Sequence, residues 1–259
     1  MAKVIRFRKG RRNAGRASAA PGATGALRLR AAPLEWSVIM TEPLAIDVPP
    51  RFDAAFHRQL EELFRWRRDV RRFRTEPLDD ALVDRLIALA LLAPSVGNSQ
   101  PWRFVKVDDR GRRAAVRHSF EVCNRTALAD YDGERAALYA RLKLAGLDRA
   151  PVQLAVFVDA ATPCGHGLGR RTMPETLTWS VVGAVHGLWL AARAHGVGVG
   201  WISIIEPERV RSILDVPESW SLVAYLCLGW PEEEHIDPEL ERAGWQQRAA
   251  GLAAVVLRR

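Results

Sequence analysis

The chain has 259 residues, 48% hydrophobic and 26% charged, an ordinary composition for a soluble globular protein with one large core or two small ones. Its net charge of +8 suggests a nucleic-acid partner only until it is located: residues 1–39 hold nine Lys or Arg against Glu35 alone, which leaves 29 basic and 29 acidic residues elsewhere. Three widely spaced cysteines, Cys123, Cys164 and Cys227, argue against a disulfide framework and for a reducing, cytoplasmic compartment.

Residues 1–48 are rich in Arg, Ala and Gly and lack apolar periodicity, so they cannot bury enough surface to offset their ordering entropy. A disordered basic extension is predicted. It reads either as an arm for nucleic acid or an acidic membrane surface, or as sequence upstream of a true start at Met40, which opens the ordinary lead-in Thr41-Glu42-Pro43. The second reading is preferred, so a nucleic-acid partner is not expected. No secretory h-region follows the basic residues.

The folded domain is predicted over residues 49–259. Phe52, Phe56, Leu60, Leu63 and Phe64 recur at helical spacing behind a cap candidate, Asp53. The helix runs into Arg67-Arg68-Asp69-Val70-Arg71. Guanidiniums so crowded can fork onto a phosphate, or can simply complement the negative end of the helix. The carboxylate among them is an odd choice for a site that only holds an anion. A second helix, Asp79 to Leu92, is stopped by Pro94. The turn holding Ser95, Gly97 and Asn98 then precedes a strand, Trp102 to Val107. Glycine at 97 would let a flat ligand, or dioxygen beside it, approach the backbone, and it would equally serve a plain helix-to-strand turn.

Residues 110–146 read as helices broken around Tyr131-Asp132-Gly133, an insertion suited to a lid. Val152 to Val158 is a buried strand. Residues 163–173 form a flexible loop whose Gly165, Gly167 and Gly169 do not match a dinucleotide fingerprint. From Pro174 to Ala194 a long helix, with Thr172 as its cap, is apolar around nearly its whole circumference and must be buried in a core or against another subunit. Thr176, Thr178, Ser180 and His186 speak against a membrane span. The strand Val197 to Ile204 contains Gly198 and Gly200 and follows Gly196. Such glycines weaken a strand unless something must come close to its backbone. Ser203 near its end is a terminal polar residue or a catalytic hydroxyl. A last strand, Leu222 to Leu228, and a polar tail complete the chain. The six histidines show no ligand spacing, so no metal site is expected.

In this order and spacing Arg67–Arg71, Ala93–Trp102, Gly133-Glu134-Arg135, Leu142–Gly146, Leu188–Ala194, Gly198–Ile204 and Leu226–Trp230 resemble the nitroreductase-like flavoproteins, from about Arg65 to Arg248. Within them the chain is most similar to the branch that breaks flavin down to 5,6-dimethylbenzimidazole, because Asp69 stands where ordinary nitroreductases usually carry Ser. The resemblance implies an α+β fold with a central, mostly antiparallel sheet flanked by helices, in a homodimer. It implies oxygen-dependent conversion of reduced FMN to 5,6-dimethylbenzimidazole and erythrose 4-phosphate for cobalamin synthesis, with a separate NAD(P)H-dependent flavin reductase supplying the reduced FMN. Carried over position by position, FMN contacts fall on Arg67, Arg68, Asp69, Val70, Arg71, Ser95, Gly97, Asn98, Arg135, Leu144 and Ser203. Dioxygen falls at Gly97, and proton handling on Asp69 and Ser203. Asp130 departs from the family in replacing an apolar lid residue. Two alternatives stand beside this reading. An NAD(P)H-dependent nitro- or flavin reductase would retain FMN as cofactor, with Asp69 and the lid insertion against it. A non-enzymatic FMN- or nucleic-acid-binding protein has only the basic arm in its favour.

Overall fold

The computed structural model describes residues 48–141, 146–248, 251 and 256. Residues 1–47 of the predicted extension, and Leu144, lie outside the described residues. Helix α1 (Ala54–Trp66) starts at Asp53, whose carboxylate accepts the Phe56 N–H at 2.8 Å. Among the described residues its apolar face meets no core: Phe56, Leu60 and Phe64, with Phe52 just before the helix, are 39%, 37%, 49% and 56% exposed. Helix α2 (Asp80–Ala90), capped by Asp79, buries Val83, Leu86 and Ala90. A 3-10 turn at Val96–Asn98 leads into β1 (Trp102–Lys106). The predicted insertion is two helices, α3 (Arg110–Ala129) and α4 (Gly133–Arg141), followed by the short α5 (Gly146–Arg149). Next come β2 (Val152–Asp159), α6 (Thr176–Ala194), β3 (Gly198–Ile202), α7 (Pro207–Leu214), β4 (Trp220–Gly229) and α8 (Glu239–Arg242).

The four strands form one sheet in the order β1-β2-β4-β3, each neighbouring pair antiparallel. The central pair β2 and β4 is covered on both faces, which is why both read as continuous apolar runs. Alternation still divides them. Leu154, Val156 and Val158 join α2 and α6 in one core, while Ala155 and Phe157 pack with Val116 of α3 and Val210 and Leu214 of α7 in the other. Buried Gln153 is fully used: its Oε1 accepts the Tyr225 hydroxyl at 2.6 Å and its Nε2 donates to Leu147 O at 3.0 Å. Cys227 beside it is wholly buried, and burial pushes its thiol up, as befits a small core hydrophobe. The α+β architecture with a central antiparallel sheet is the one the resemblance implies.

Three local expectations change. Helix α6 begins at Thr176 rather than Pro174, and Thr172 does not cap it; the first turn is instead tied by the Thr176 hydroxyl donating to Met173 O at 2.6 Å. The 163–173 loop is locally ordered against the 95–99 turn, since a Cβ on Gly165 would stand 2.5 Å from Gly97 O. The polar tail folds back on the arginine segment and contributes α8. The all-round apolar character of α6 is divided between surroundings: Val181, Ala184, Val185 and Leu188 are in the core, while Trp179 and Val182 are 54% and 38% exposed. No helix among the described residues is long and apolar enough to cross a membrane.

Candidate functional site

The arginine segment is a continuation of the sheet. Leaving α1 in an extended conformation, it reaches the free edge of β3, where Val70 N–H donates to Val199 O at 3.0 Å and Asp69 forms a parallel bridge with Val199. The Asp69 carboxylate extends this pairing through Oδ1, which accepts the Trp201 N–H at 2.9 Å. Only glycine permits so close an approach: a Cβ at Gly200 would lie 2.2 Å from Val70 O, and one at Gly198 2.9 Å from the Val70 side chain. The close neighbour demanded by the glycines of β3 is therefore the chain's own Val70. Beneath the segment Trp189 of α6 donates its indole N–H to Arg68 O at 3.1 Å, and the Arg67 guanidinium lies 4.9 Å from its ring centroid.

The guanidiniums have separate tasks. Arg68 donates to the carbonyls of Arg65, Arg67 and Ile236, so it fastens the tail to the end of α1. Arg72 is taken up by Glu233 and, at 3.1 Å, by Glu239. Arg71 stands 3.4 Å from Asp69 Oδ2 and 3.8 Å from Glu239. Arg67 has no ion-pair partner among the described residues. Together Arg67, Arg68, Asp69, Arg71, Glu239, Leu240 and Arg248 line a cavity of about 170 Å³. Four guanidiniums face two carboxylates there, a surplus of two positive charges.

The acid in this basic ring does not take the low value that flanking arginines alone would give it. Burial raises the Asp69 carboxyl above the usual carboxylate range, and the opposing Trp201 N–H and Arg71 do not cancel the shift. Arg68 is pulled the other way, below its ordinary value, by burial and by the nearby Arg248 and Arg67 charges. The arrangement can hold a dianion and keep a proton-exchanging group at its edge.

Residues 64–230 match the Nitroreductase family. The chain belongs to the nitroreductase family. Among curated relatives it is 61% identical over 199 residues to the 5,6-dimethylbenzimidazole synthase of Rhodospirillum rubrum, covering 77% of this chain and 94% of the relative. It is 48% identical over 196 residues to the enzyme of that name from Rhodobacter capsulatus, covering 76% and 95%. Among solved structures the fold is similar to an oxidized iodotyrosine deiodinase bound to FMN and 3-iodo-L-tyrosine, with a TM-score of 0.60, 24% identity and coverage of 77% of this chain and 97% of that one.

The remaining residues expected at the site fall in different places. Ser203 is exposed just beyond the end of β3, two residues from Trp201, so it shares the sheet edge with Asp69. Val70 packs its side chain against Gly198 and is held by the fold. Ser95, Gly97 and Asn98 are elsewhere: their turn precedes β1, the opposite edge strand, while Asp69 lies beyond β3. They are also at opposite ends along the strands, because Val199 is level with Leu228 and Val152, whereas Trp102 is level with Val158. Four strand spacings and six residues of rise separate the two corners by roughly 25 Å. Local packing already accounts for glycine at 97, which has φ +55° and whose Cβ would lie 2.7 Å from Leu168 O. The Ser95 hydroxyl accepts Gln100 N–H at 3.1 Å, and Asn98 is exposed at φ +54°. Arg135 is exposed on α4. The contribution of the tail, namely Glu239, Leu240 and Arg248, was missed from sequence. The available signal was the acidic run Glu232-Glu233-Glu234, opposite in charge to Arg67-Arg68 and Arg71-Arg72, of which Glu233 does pair with Arg72.

Proposed function

We propose that the protein is a 5,6-dimethylbenzimidazole synthase, converting reduced FMN and dioxygen to 5,6-dimethylbenzimidazole and erythrose 4-phosphate in the cytoplasm. The observation that carries this reading is Asp69: a carboxyl with raised proton affinity, set by the backbone of β3 inside an arginine cradle. The identity to two synthases supports the reaction, and the cradle supports the substrate. A phosphate monoester carries about −1.5 to −2 charge at neutral pH, opposite to the positive surplus in the 170 Å³ cavity. That volume suits the phosphate end of FMN and leaves its ring outside, along the edge that carries Asp69 and Ser203.

In this reading Arg67, Arg71 and Arg248 hold the phosphate through charge-assisted contacts, while Arg68 positions the tail behind them. FMN supplies the carbon skeleton that is broken. Asp69 exchanges protons with the flavin as general acid and base, and Ser203 relays them. Dioxygen at Gly97 rests on the resemblance alone, since packing by itself demands that glycine. Ser95, Asn98 and Gly97 cannot share a flavin with the arginines of their own chain across roughly 25 Å. A two-fold dimer resolves this by bringing the turn of one subunit to the arginines of the other. The rings of Phe52, just before α1, of Phe56 and Phe64 on α1, and of Trp179 on α6 are 56%, 39%, 49% and 54% exposed. They supply the surface for such an interface.

The deciding experiment incubates the protein with FMN, NADH, a separate flavin reductase and air, and identifies the aromatic product by chromatography. Formation of 5,6-dimethylbenzimidazole supports the reading. No benzimidazole, together with direct NAD(P)H oxidation against nitro compounds, would replace it with the reductase.

A further inference from the structure

The aromatic trio at the junction of the tail and the α3–α4 insertion belongs to neither core. Trp245 packs edge-on against Tyr131, with centroids 5.4 Å apart and an interplanar angle of 82°, and lies 6.2 Å from Tyr139. The two tyrosines stack at 5.1 Å, and the Tyr139 hydroxyl donates to Asn124 Oδ1 at 2.9 Å. Tyr131 leads into α4, Tyr139 is on it and Asn124 is on α3, so the trio fixes the bend of the insertion to the tail.

The tail end of this contact is a capped helix end. Helix α8 closes with Gly244 in the left-handed region at φ +77°. Gly244 N–H donates to Glu241 O at 3.0 Å and Trp245 N–H to Leu240 O at 2.8 Å, the paired bonds of a Schellman ending. The position of the Trp245 backbone is thereby set by the same turn of helix that puts Leu240 and Glu239 in the wall of the arginine cavity. Glu239 in turn touches Arg71 and Arg72. An unbroken chain of contacts runs from the arginines through α8 and Trp245 to α4.

We infer that Trp245 is a positioning residue that couples occupancy of the arginine cavity by a phosphate to the placement of α4. This deepens the flavin reading above and rests on it. An anion in the cavity draws Arg71 and Arg248 towards itself and reorders the contacts of Glu239. Because α8 moves as a unit, that adjustment reaches Trp245 and the two tyrosines. Phosphate would then contribute to turnover as well as to binding, because the insertion adopts its working position only over a phosphorylated flavin. Reduced riboflavin would bind more weakly and also react more slowly once bound.

The test compares the full-length protein with its Trp245→Ala and Trp245→Phe variants by hydrogen exchange over residues 131–141, with saturating FMN, saturating riboflavin or neither. In the wild type FMN slows exchange there and riboflavin does not. Trp245→Ala should still bind FMN by fluorescence quenching, lose the added protection, and lose about tenfold in kcat with reduced FMN while KM changes little. Trp245→Phe should restore most of both. Should Trp245→Ala fail to fold, Tyr131→Ala breaks the contact from the other side and must give the same loss of protection. Equal protection by FMN and riboflavin in the wild type, or unchanged protection in a variant that binds FMN, overturns the coupling while leaving the flavin site standing. A wild type that binds no FMN overturns both.

Discussion

Replacing Asp69 with Asn separates what the carboxyl does for the fold from what it does for chemistry. The side-chain oxygen that accepts the Trp201 N–H at 2.9 Å is retained in asparagine, so the attachment to β3 survives. The lost ionic contact is the one to Arg71 at 3.4 Å, with Asp69 one-third exposed. A contact of that kind is worth about 0–1 kcal/mol. Stability should even move in the favourable direction at neutral pH. Because burial raises the folded-state value of Asp69, its contribution is fully present below the unfolded carboxyl value of about 3.9 and is lost as pH rises through the higher folded value. Asparagine escapes that loss, so the variant should gain on the wild type between acid and neutral pH. Activity should behave oppositely. Removing a general acid or base costs about 10²–10⁴-fold, or about 2.7–5.5 kcal/mol of transition-state stabilisation. The assay is single-turnover formation of 5,6-dimethylbenzimidazole from reduced FMN in air, alongside FMN titration and thermal unfolding at two pH values. The variant should bind FMN, unfold no earlier than wild type at pH 7, and return oxidised FMN. Benzimidazole formation at the wild-type rate would show that Asp69 is only a counter-ion, and loss of FMN binding would show that the acid is needed to shape the cradle.

Four further outcomes follow from the same geometry. Arg67→Ala should weaken FMN by about 1.5–3 kcal/mol while barely affecting riboflavin in parallel titrations, as befits a lost charge-assisted contact. Gly200→Ala drives a methyl group into Val70 O and should lower stability by about 1–3 kcal/mol in denaturant unfolding and detach the arginines, so FMN affinity falls with it. Asn98→Gly, which deletes the amide yet tolerates φ +54°, should impair the partner's site; co-expression with Asp69→Asn should then restore about a quarter of wild-type activity through heterodimers, whereas sites built within one chain would stay inactive. Deleting residues 1–39 should leave turnover and sedimentation unchanged, because the surplus charge there accompanies no core-forming pattern.

The sequence carried the sheet because its strands depend on local pattern. Continuous apolar runs mark β2 and β4 because helices cover both faces of the sheet. The glycines of β3 announced a close approach, and the approach exists, but period and composition cannot say that the visitor is Val70 from over a hundred residues upstream. Arg67, Arg68, Asp69 and Arg71 do share one cavity, since four neighbours in sequence can hardly do otherwise. Glu239 and Arg248 complete it from the far end of the chain, and there a run of charged residues looks the same whether it is solvated or folded onto arginines. Where the Ser95–Asn98 turn stands relative to the arginines was not legible. Their separation by twenty-odd positions says nothing of which sheet edge each occupies. Only the order β1-β2-β4-β3 reveals that they stand at opposite corners.

The two edges of that sheet are protected in different ways, and the difference explains where the site is. An uncovered edge strand invites pairing with another chain, and charged side chains are a common defence. Strand β1 uses it, with Arg103 bound to Asp159 at 2.7 Å and Lys106 to Asp84 at 2.7 Å. Strand β3, reading Gly-Val-Gly-Trp-Ile, has no charged residue to offer. Its edge is capped instead by the backbone of Asp69 and Val70, with the Asp69 carboxylate taking the Trp201 N–H as a strand carbonyl would. Capping the edge therefore fixes the backbone from which Arg67, Arg68 and Arg71 project, and that fixing is made by the fold before any ligand arrives. In the proposed reading less ordering would remain to be done when a phosphate binds, so more of that interaction would survive as affinity. It also holds a carboxyl of raised proton affinity on Trp201, two residues before Ser203, through bonds that a stable sheet needs in any case.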